Sequence, residues 1–275
     1  MLTLNCKGRL LVLDRPLVMG IINATPDSFY TGSRFKGANA ILDQAERMVE
    51  EGADILDIGG QSTRPGSDRV TAQEELTGVI AGIEAISKKF PDTIISIDTY
   101  YSIVAKESVA AGASMVNDIS GGSMDEAMIQ TVASLQVPYI LMHMKGTPET
   151  MQQMARYENV TKEILDFFIV KQDELHKAGI NDVIIDPGFG FGKNSDHNFE
   201  VLRNLSVFKL LERPIMIGIS RKSTIYKTLG ISAEDALNGT TVLHTIALMN
   251  GANILRVHDI REAREAIKLV KACLG

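Results

Sequence analysis

In Asp182-Val-Ile-Ile-Asp-Pro-Gly-Phe-Gly-Phe-Gly-Lys193 a short apolar run gives way abruptly to an acid, a proline and glycines spaced by phenylalanines, with a lysine behind them. The pattern recurs downstream. Pro214–Ile219 leads into Ser220-Arg-Lys-Ser223, and Asn253–Leu255 leads into Arg256-Val-His258. A buried strand ending in charged or glycine-rich residues is how a (β/α)8 barrel builds its active site, because the reactive groups come from the C-terminal ends of several strands. Working outward, similar apolar runs occur at Leu17–Ile22, Ala53–Ile58, Thr93–Ile97, Ala113–Val116 and Pro138–Met142, which makes eight with Asp182–Ile185, Pro214–Ile219 and Asn253–Val257. Between them lie amphipathic segments at Ala38–Glu51, Thr71–Lys89, Ile103–Ala111, Glu158–Lys177 and Ala233–Met249. Strands alternating with helices predict a parallel sheet, and eight such units close a (β/α)8 TIM barrel. Ahead of them, Leu2–Cys6 and Arg9–Leu13 flank Lys7-Gly8 and predict a short N-terminal hairpin that plugs the barrel's lower end. A length of 275 residues suits one such domain, so a single domain spanning 1–275 is expected. An open doubly wound sheet is the alternative. It calls for a glycine-rich turn after the first strand, and Asn23-Ala-Thr-Pro-Asp27 is not one.

The residues at the strand ends are Asn23, Asp57, Asp98, Asn117, His143, Asp186, Ser220 with Arg221 and Lys222, then Arg256 and His258. Any one of them reads equally well as a solvated loop residue or, for Asp98 and Asp118, a helix cap. Eight successive strands delivering polar groups to one rim read as a site. Asp98, Asn117 and Asp186 supply acceptors plus one amide, which suits the amino-pyrimidinone edge of a pterin or purine. Asn23, Arg256 and His258 end adjacent strands and suit phosphate oxygens, with the Asn23 amide oxygen available to a Mg²⁺ ion. Ser220-Arg-Lys-Ser223 opens a helix, whose N–H groups and dipole favour an anion such as a carboxylate. Two loops rich in turn residues, Asp27–Phe35 and Gln61–Val70, are expected to be mobile lids over the mouth.

Composition excludes several classes. A net charge of −6 argues against nucleic-acid binding, so an anionic ligand has to be held by local cations. Cys6 and Cys273 stand near opposite ends without metal-type spacing and read as reduced thiols. There is no HExxH, CxxC or GxxxxGK, and Gly188-Phe-Gly-Phe-Gly192 lacks the spacing of a dinucleotide fingerprint, so NAD is not expected. No apolar stretch reaches the length of a membrane span, and the N-terminus lacks the basic-then-apolar plan of a secretory leader, so a cytoplasmic location is expected. His176, His197 and His244 fall in predicted helices; His143 at a strand end stays open between roles.

From about Pro16 onward the chain resembles the bacterial dihydropteroate synthases. The resemblance rests on Met19–Phe29, Asp57-Ile-Gly-Gly-Gln-Ser-Thr-Arg-Pro-Gly66, Ser96-Ile-Asp-Thr99, Asn117-Asp-Ile119, Leu141-Met-His-Met144, Asp186–Lys193, Ser220–Ser223 and Arg256-Val-His-Asp259, all in order. It implies a (β/α)8 barrel, a homodimer, and condensation of 6-hydroxymethyl-7,8-dihydropterin diphosphate with 4-aminobenzoate, releasing diphosphate with Mg²⁺ assistance. It also implies competition by sulfonamides. By motif, it places the pterin on Asp98, Asn117, Asp186 and Lys222, and diphosphate on Arg256, His258 and Asn23 with Mg²⁺. It places 4-aminobenzoate against Phe29, Thr63, Arg64, Pro65, Phe191 and Ser223. Asp57, Asp98, Lys222, Arg256 and His258 would carry the chemistry, an SN1-like alkyl transfer in which Asp57 and Asp98 stabilise a pterin cation and Arg256 and His258 neutralise the leaving phosphate. After Phe29 the chain runs Tyr30-Thr-Gly-Ser-Arg34, where the family commonly has a small residue, an acid and glycines. Two rivals share the barrel: a methyltransferase acting on methyltetrahydrofolate, which needs neither the Ser220–Ser223 anion site nor a diphosphate clamp, and a non-catalytic pterin-binding paralogue.

Overall fold

The computed structural model describes residues 2–24, 34–61 and 69–274. Strands β1 (Leu2–Cys6) and β2 (Arg9–Leu13) form the expected hairpin, with Cys6 paired to Arg9 across Lys7-Gly8. Both turn residues have positive φ, 56° and 86°, the conformation that two-residue hairpin loops require.

Eight strands follow in one sheet: β3 (Leu17–Asn23), β4 (Ile55–Gly59), β5 (Ile94–Asp98), β6 (Met115–Asp118), β7 (Tyr139–Met142), β8 (Val183–Asp186), β9 (Met216–Ile217) and β10 (Ile254–Val257). Their order is β8-β7-β6-β5-β4-β3-β10-β9, every pairing is parallel, and a bridge from Ile185 to Ile215 closes the ring. The fold is the (β/α)8 barrel the sequence predicts. The helices between strands are α1 (Arg34–Glu50), α2 (Ala72–Lys89), α3 (Ser102–Ala111), α4 (Met128–Leu135), α5 (Val160–Lys177), α6 (Ser195–Arg203), α7 (Ser223–Leu229), α8 (Leu237–Met249) and α9 (Ile260–Leu274). Local chemistry sets their ends. Thr71 and Glu74 cap α2 reciprocally, each side chain bonding the other's backbone N–H, which is worth about 1 kcal/mol. At the end of α3, Gly112 takes φ 130° with a would-be Cβ 2.6 Å from Ser87 Oγ, so no larger residue fits.

Residues along a strand alternate between the two faces of the sheet, and that parity positions the site. One apolar residue per strand fills the lowest interior layer: Met19, Ile55, Ile94, Met115, Ile140, Ile184, Met216 and Ile254, packed against Leu4, Cys6 and Leu13 of the hairpin. The hairpin therefore plugs the bottom. Two residues further along, the same inward parity reaches Ile21, Asp57, Ser96, Asn117, Met142, Asp186, Gly218 and Arg256. Two more bring Asn23 and Asp98 to the rim. The barrel thus turns from apolar to charged within one step of the pleat.

Candidate active site

Arg256 lies at the centre of this polar layer. Its Nε donates to Asp57 Oδ2 at 2.6 Å and its Nη2 to Asp98 Oδ2 at 2.5 Å, while Asn117 Nδ2 donates to the same Asp57 oxygen at 3.0 Å. Three consecutive strands, β4, β5 and β6, are thereby tied to β10, with only β3 between β10 and β4 in the sheet. Asp57 is fully buried, and its Oδ1 has no hydrogen-bond partner among the described residues. Such a group is tolerated where a ligand or a developing positive charge supplies what the fold withholds. Burial pushes the Asp98 carboxyl up to about 7, against the pull of Arg256 and reinforced by Asp57 and Asp118.

Across the mouth, Asp186 and Lys222 form the second charged group. Asp186 is buried, accepts the Gly188 N–H at 2.8 Å, and is raised by burial while Lys222 opposes the shift. Lys222 donates to the Phe189 carbonyl and sits over the Phe191 ring, 4.6 Å from its centroid. Burial lowers its ammonium to about 8, with Asp186 working the other way. Gly218 keeps the space open between these groups. A Cβ there would stand 3.8 Å from Asp186 Oδ2, 3.9 Å from Lys222 Nζ and 4.0 Å from Arg256 Cδ. The two clusters are one site.

The remaining expected residues divide. His258 is exposed at the rim with Nδ1 3.0 Å from Ser220 Oγ, so the buried serine orients the imidazole. Asn23 is exposed at the end of β3, beside Gly59, whose neighbour across the ladder is Asp98. No group of three His, Cys, Asp or Glu side chains among the described residues is arranged as a metal cage. The single amide oxygen of Asn23 nonetheless fits a Mg²⁺ ion, which keeps several waters and takes its other ligands from substrate phosphates. Ser223 is the first residue of α7 and Phe191 packs with Tyr100, Ile119, Met142 and Met151. Phe29, Thr63, Arg64 and Pro65 lie outside the described residues, as do most of the two expected lids, Asp27–Phe35 and Gln61–Val70.

Several details were not readable in the sequence. Arg221 looks like part of the anion site but turns away: it takes φ 52° and grips Asp259 through Nε and Nη2 at 2.8 and 2.9 Å. Asp118, open as a cap, is a buried acceptor for Tyr139 Oη at 2.7 Å and for the Ser120 and Gly122 N–H groups. Its role is to hold the turn after β6. His143 is buried and faces Lys193 rather than the mouth, and burial holds its pKa well below the ordinary imidazole value. Glu75 of α2 is buried behind Gly60, where a Cβ would come within 2.8 Å of its Cγ, and burial raises its carboxyl to about 8. No sequence signal separates it from the exposed Glu74 beside it.

A closed barrel whose mouth combines paired acids, an amide and two half-buried cations suits a polar heterocycle. The family described as "Pterin binding enzyme" matches residues 19–258. Dihydropteroate synthase of Escherichia coli (strain K12) is 41% identical over 271 residues, covering 98% of this chain and 95% of its own. Among solved structures, the Yersinia pestis dihydropteroate synthase in a sulfonamide drug complex superposes with a TM-score of 0.93 at 40% identity, covering 99% of both chains. The Xanthomonas albilineans dihydropteroate synthase with 4-aminobenzoic acid gives 0.91 at 39%, covering 99% of this chain and 98% of that one. The chain is therefore a pterin-binding enzyme. Within that class it belongs to the dihydropteroate synthase family, transferases of folate synthesis.

Proposed function

We propose that this chain condenses 6-hydroxymethyl-7,8-dihydropterin diphosphate with 4-aminobenzoate, releasing 7,8-dihydropteroate and diphosphate by an SN1-like alkyl transfer. The observation that carries this reading is the Asp57–Arg256–Asp98 network, anchored on the fully buried Asp57 and facing Asp186 and Lys222 at the strands' C-terminal ends. The pterin's ring N–H groups need carboxylate acceptors, which Asp98 and Asp186 supply, and Asn117 matches the amide edge. Lys222, stacked on Phe191, can donate to a ring acceptor. The hard step is departure of diphosphate, which leaves positive charge on the pterin's exocyclic methylene. Asp57, fully buried and with a spare oxygen, and Asp98 supply a negative field at that position without reorganising. Arg256 and His258 lie on the side where phosphate oxygens leave. A Mg²⁺ ion held through Asn23 would neutralise diphosphate charge when bound. The aromatic amine attacks as a neutral nucleophile, so the protein has to position it, against Phe191 and Ser223 with Phe29, Thr63, Arg64 and Pro65, more than to activate it.

The residues favour this over a methyltransferase acting on methyltetrahydrofolate, because Arg256, His258, Asn23 and Ser223 would then have no diphosphate or aminobenzoate carboxylate to serve. A direct assay decides: dihydropteroate and diphosphate should form together from the two substrates, with none from methyltetrahydrofolate. Binding of the pterin without any turnover would instead support the non-catalytic paralogue.

The pH dependence follows from the two perturbed groups. Asp98, raised to about 7, is protonated below that pH and a poorer acceptor for pterin N–H groups. Lys222, lowered to about 8, loses its charge above that pH. kcat/KM for the pterin substrate should therefore be bell-shaped with limbs near pH 7 and 8. Asp98→Asn should lose the acid limb along with most activity. A profile flat from pH 6 to 9 would contradict the assignment.

We further infer a homodimer and a cytoplasmic location. Support for the dimer comes from α8, which leaves Val242, Ile246 and Met249 exposed on one face. No helix among the described residues is long and apolar enough to cross a membrane. Sedimentation of the purified chain at one protomer's mass would refute the dimer.

A further inference from the structure

The loop after β8 turns three times through positive φ, at Gly188 (72°), Gly190 (83°) and Gly192 (62°). Gly188 cannot be replaced without moving the chain, since a Cβ there would sit 2.0 Å from the His143 carbonyl oxygen. Backbone groups in such a path have no helix or sheet partner and must be satisfied one by one. Here side chains do most of it, beside one backbone bond from the Phe191 N–H to the Gly188 carbonyl at 3.1 Å. Gly188 N–H donates to Asp186 Oδ1, Gly190 N–H donates to Asn198 Oδ1 at 2.9 Å, and the Gly192 carbonyl accepts from Tyr157 Oη at 2.8 Å. The Phe189 carbonyl takes Lys222. The Gly188 and Phe191 carbonyls are both taken by Lys193, at 3.0 and 3.1 Å.

Lys193 is only 3% exposed, and its ammonium also reaches the His143 carbonyl at 3.3 Å and His143 Nδ1 at 2.9 Å. Its partners are carbonyls and an imidazole, so its burial gains no ion pair and instead ties the loop after β8 to the end of β7. A buried ammonium is costly, and burial has pulled its pKa down to about 7. A stabilising role alone would be served by apolar filling.

We propose that Lys193 is a positioning residue for the pterin site: by gathering the carbonyls of His143, Gly188 and Phe191, it fixes the loop that places Asp186, the Phe189 carbonyl and the Phe191 ring around Lys222. Lys193 does not touch substrate; it acts through Lys222 and Asp186. The consequence for pterin rests on the reading under Proposed function, whereas the clamp itself does not.

The test uses the full chain and Lys193→Met, which keeps volume and removes the donors. Backbone hydrogen exchange should speed up about 10-fold or more across 188–192, while Ile184, Ile185 and Ile254 keep wild-type protection. Pterin affinity, measured by calorimetry, should fall about 10- to 100-fold, the range seen when a residue orienting a binding group is lost. Protection lost throughout the barrel would make Lys193 a stability residue and overturn the proposal. So would unaltered exchange in the loop, or a freed loop with unchanged pterin affinity. A wild-type chain that binds no pterin would sink the preceding reading and the pterin half of this one. Exchange alone would then decide the clamp.

Discussion

Lys222→Ala should lower kcat/KM for the pterin substrate by about 100-fold or more, a loss of about 2.7 kcal/mol of transition-state stabilisation. The reason is local. The ammonium is held by the Phe189 carbonyl and the Phe191 ring, and of the cations opposing the burial shift of Asp186 it acts most strongly. Without it, Asp186 loses the partner that keeps its proton off, and a protonated Asp186 is a poorer acceptor for the pterin's N–H groups. The barrel should survive, because the network joining its strands runs through Asp57, Asn117 and Arg256. A melting temperature within a few degrees of wild type is expected, as for a change made away from the packed core. A fall in melting temperature as severe as the loss of activity would assign Lys222 to the fold instead.

Arg256→Met should be damaging on both counts. It leaves the fully buried Asp57 and the half-buried Asp98 without their common cation, and breaking a buried pair in this way costs about 3–5 kcal/mol. For a chain of this size that corresponds to a drop of roughly 10 °C in melting temperature. Turnover should fall with it, since the guanidinium shapes the two acids and, on the proposed reading, faces the leaving phosphate. Adding Asp57→Asn to Arg256→Met removes one orphaned charge, so the double variant should regain part of the stability and none of the activity. Strictly additive losses in melting temperature would show that the two residues are not coupled.

Much of this architecture was legible in the chain. The strand runs are apolar throughout because parallel strands are covered on both faces, and the polar residue closing each run marks its upper end. Even the hairpin boundaries and its turn followed from Lys7-Gly8. The strand from Pro214 to Ile219 shrank most, to Met216–Ile217, since Pro214 cannot donate to a ladder and Gly218 gives way to the site. For the candidate site, the sequence names polar residues at the strand ends but not their wiring. Sequence grouped Arg256 with the phosphate ligands, and no spacing rule reveals that its guanidinium also reaches two acids nearly 200 and 160 positions away. Arg221 and Lys193 were hidden for the opposite reason. Each reads as a loop cation near an anion site, and only the three-dimensional path shows one tied to Asp259 and the other sunk among carbonyls.

The most direct test of the account concerns the order in which the two substrates find their places. Asp57, Asp98, Asn117 and Arg256 stand at the ends of strands and are held by one another, and Asp186 ends its own strand bonded to the Gly188 N–H, so the pterin pocket of the proposed reading should exist before any ligand arrives. The 4-aminobenzoate contacts are expected chiefly from Phe29, Thr63, Arg64 and Pro65 on the two loops, which pterin diphosphate is expected to order. Calorimetry should therefore show pterin binding to the free enzyme, and 4-aminobenzoate binding at least about 10-fold more tightly once a pterin and diphosphate are present, a coupling of about 1.4 kcal/mol. Equal 4-aminobenzoate affinity in both conditions would contradict it.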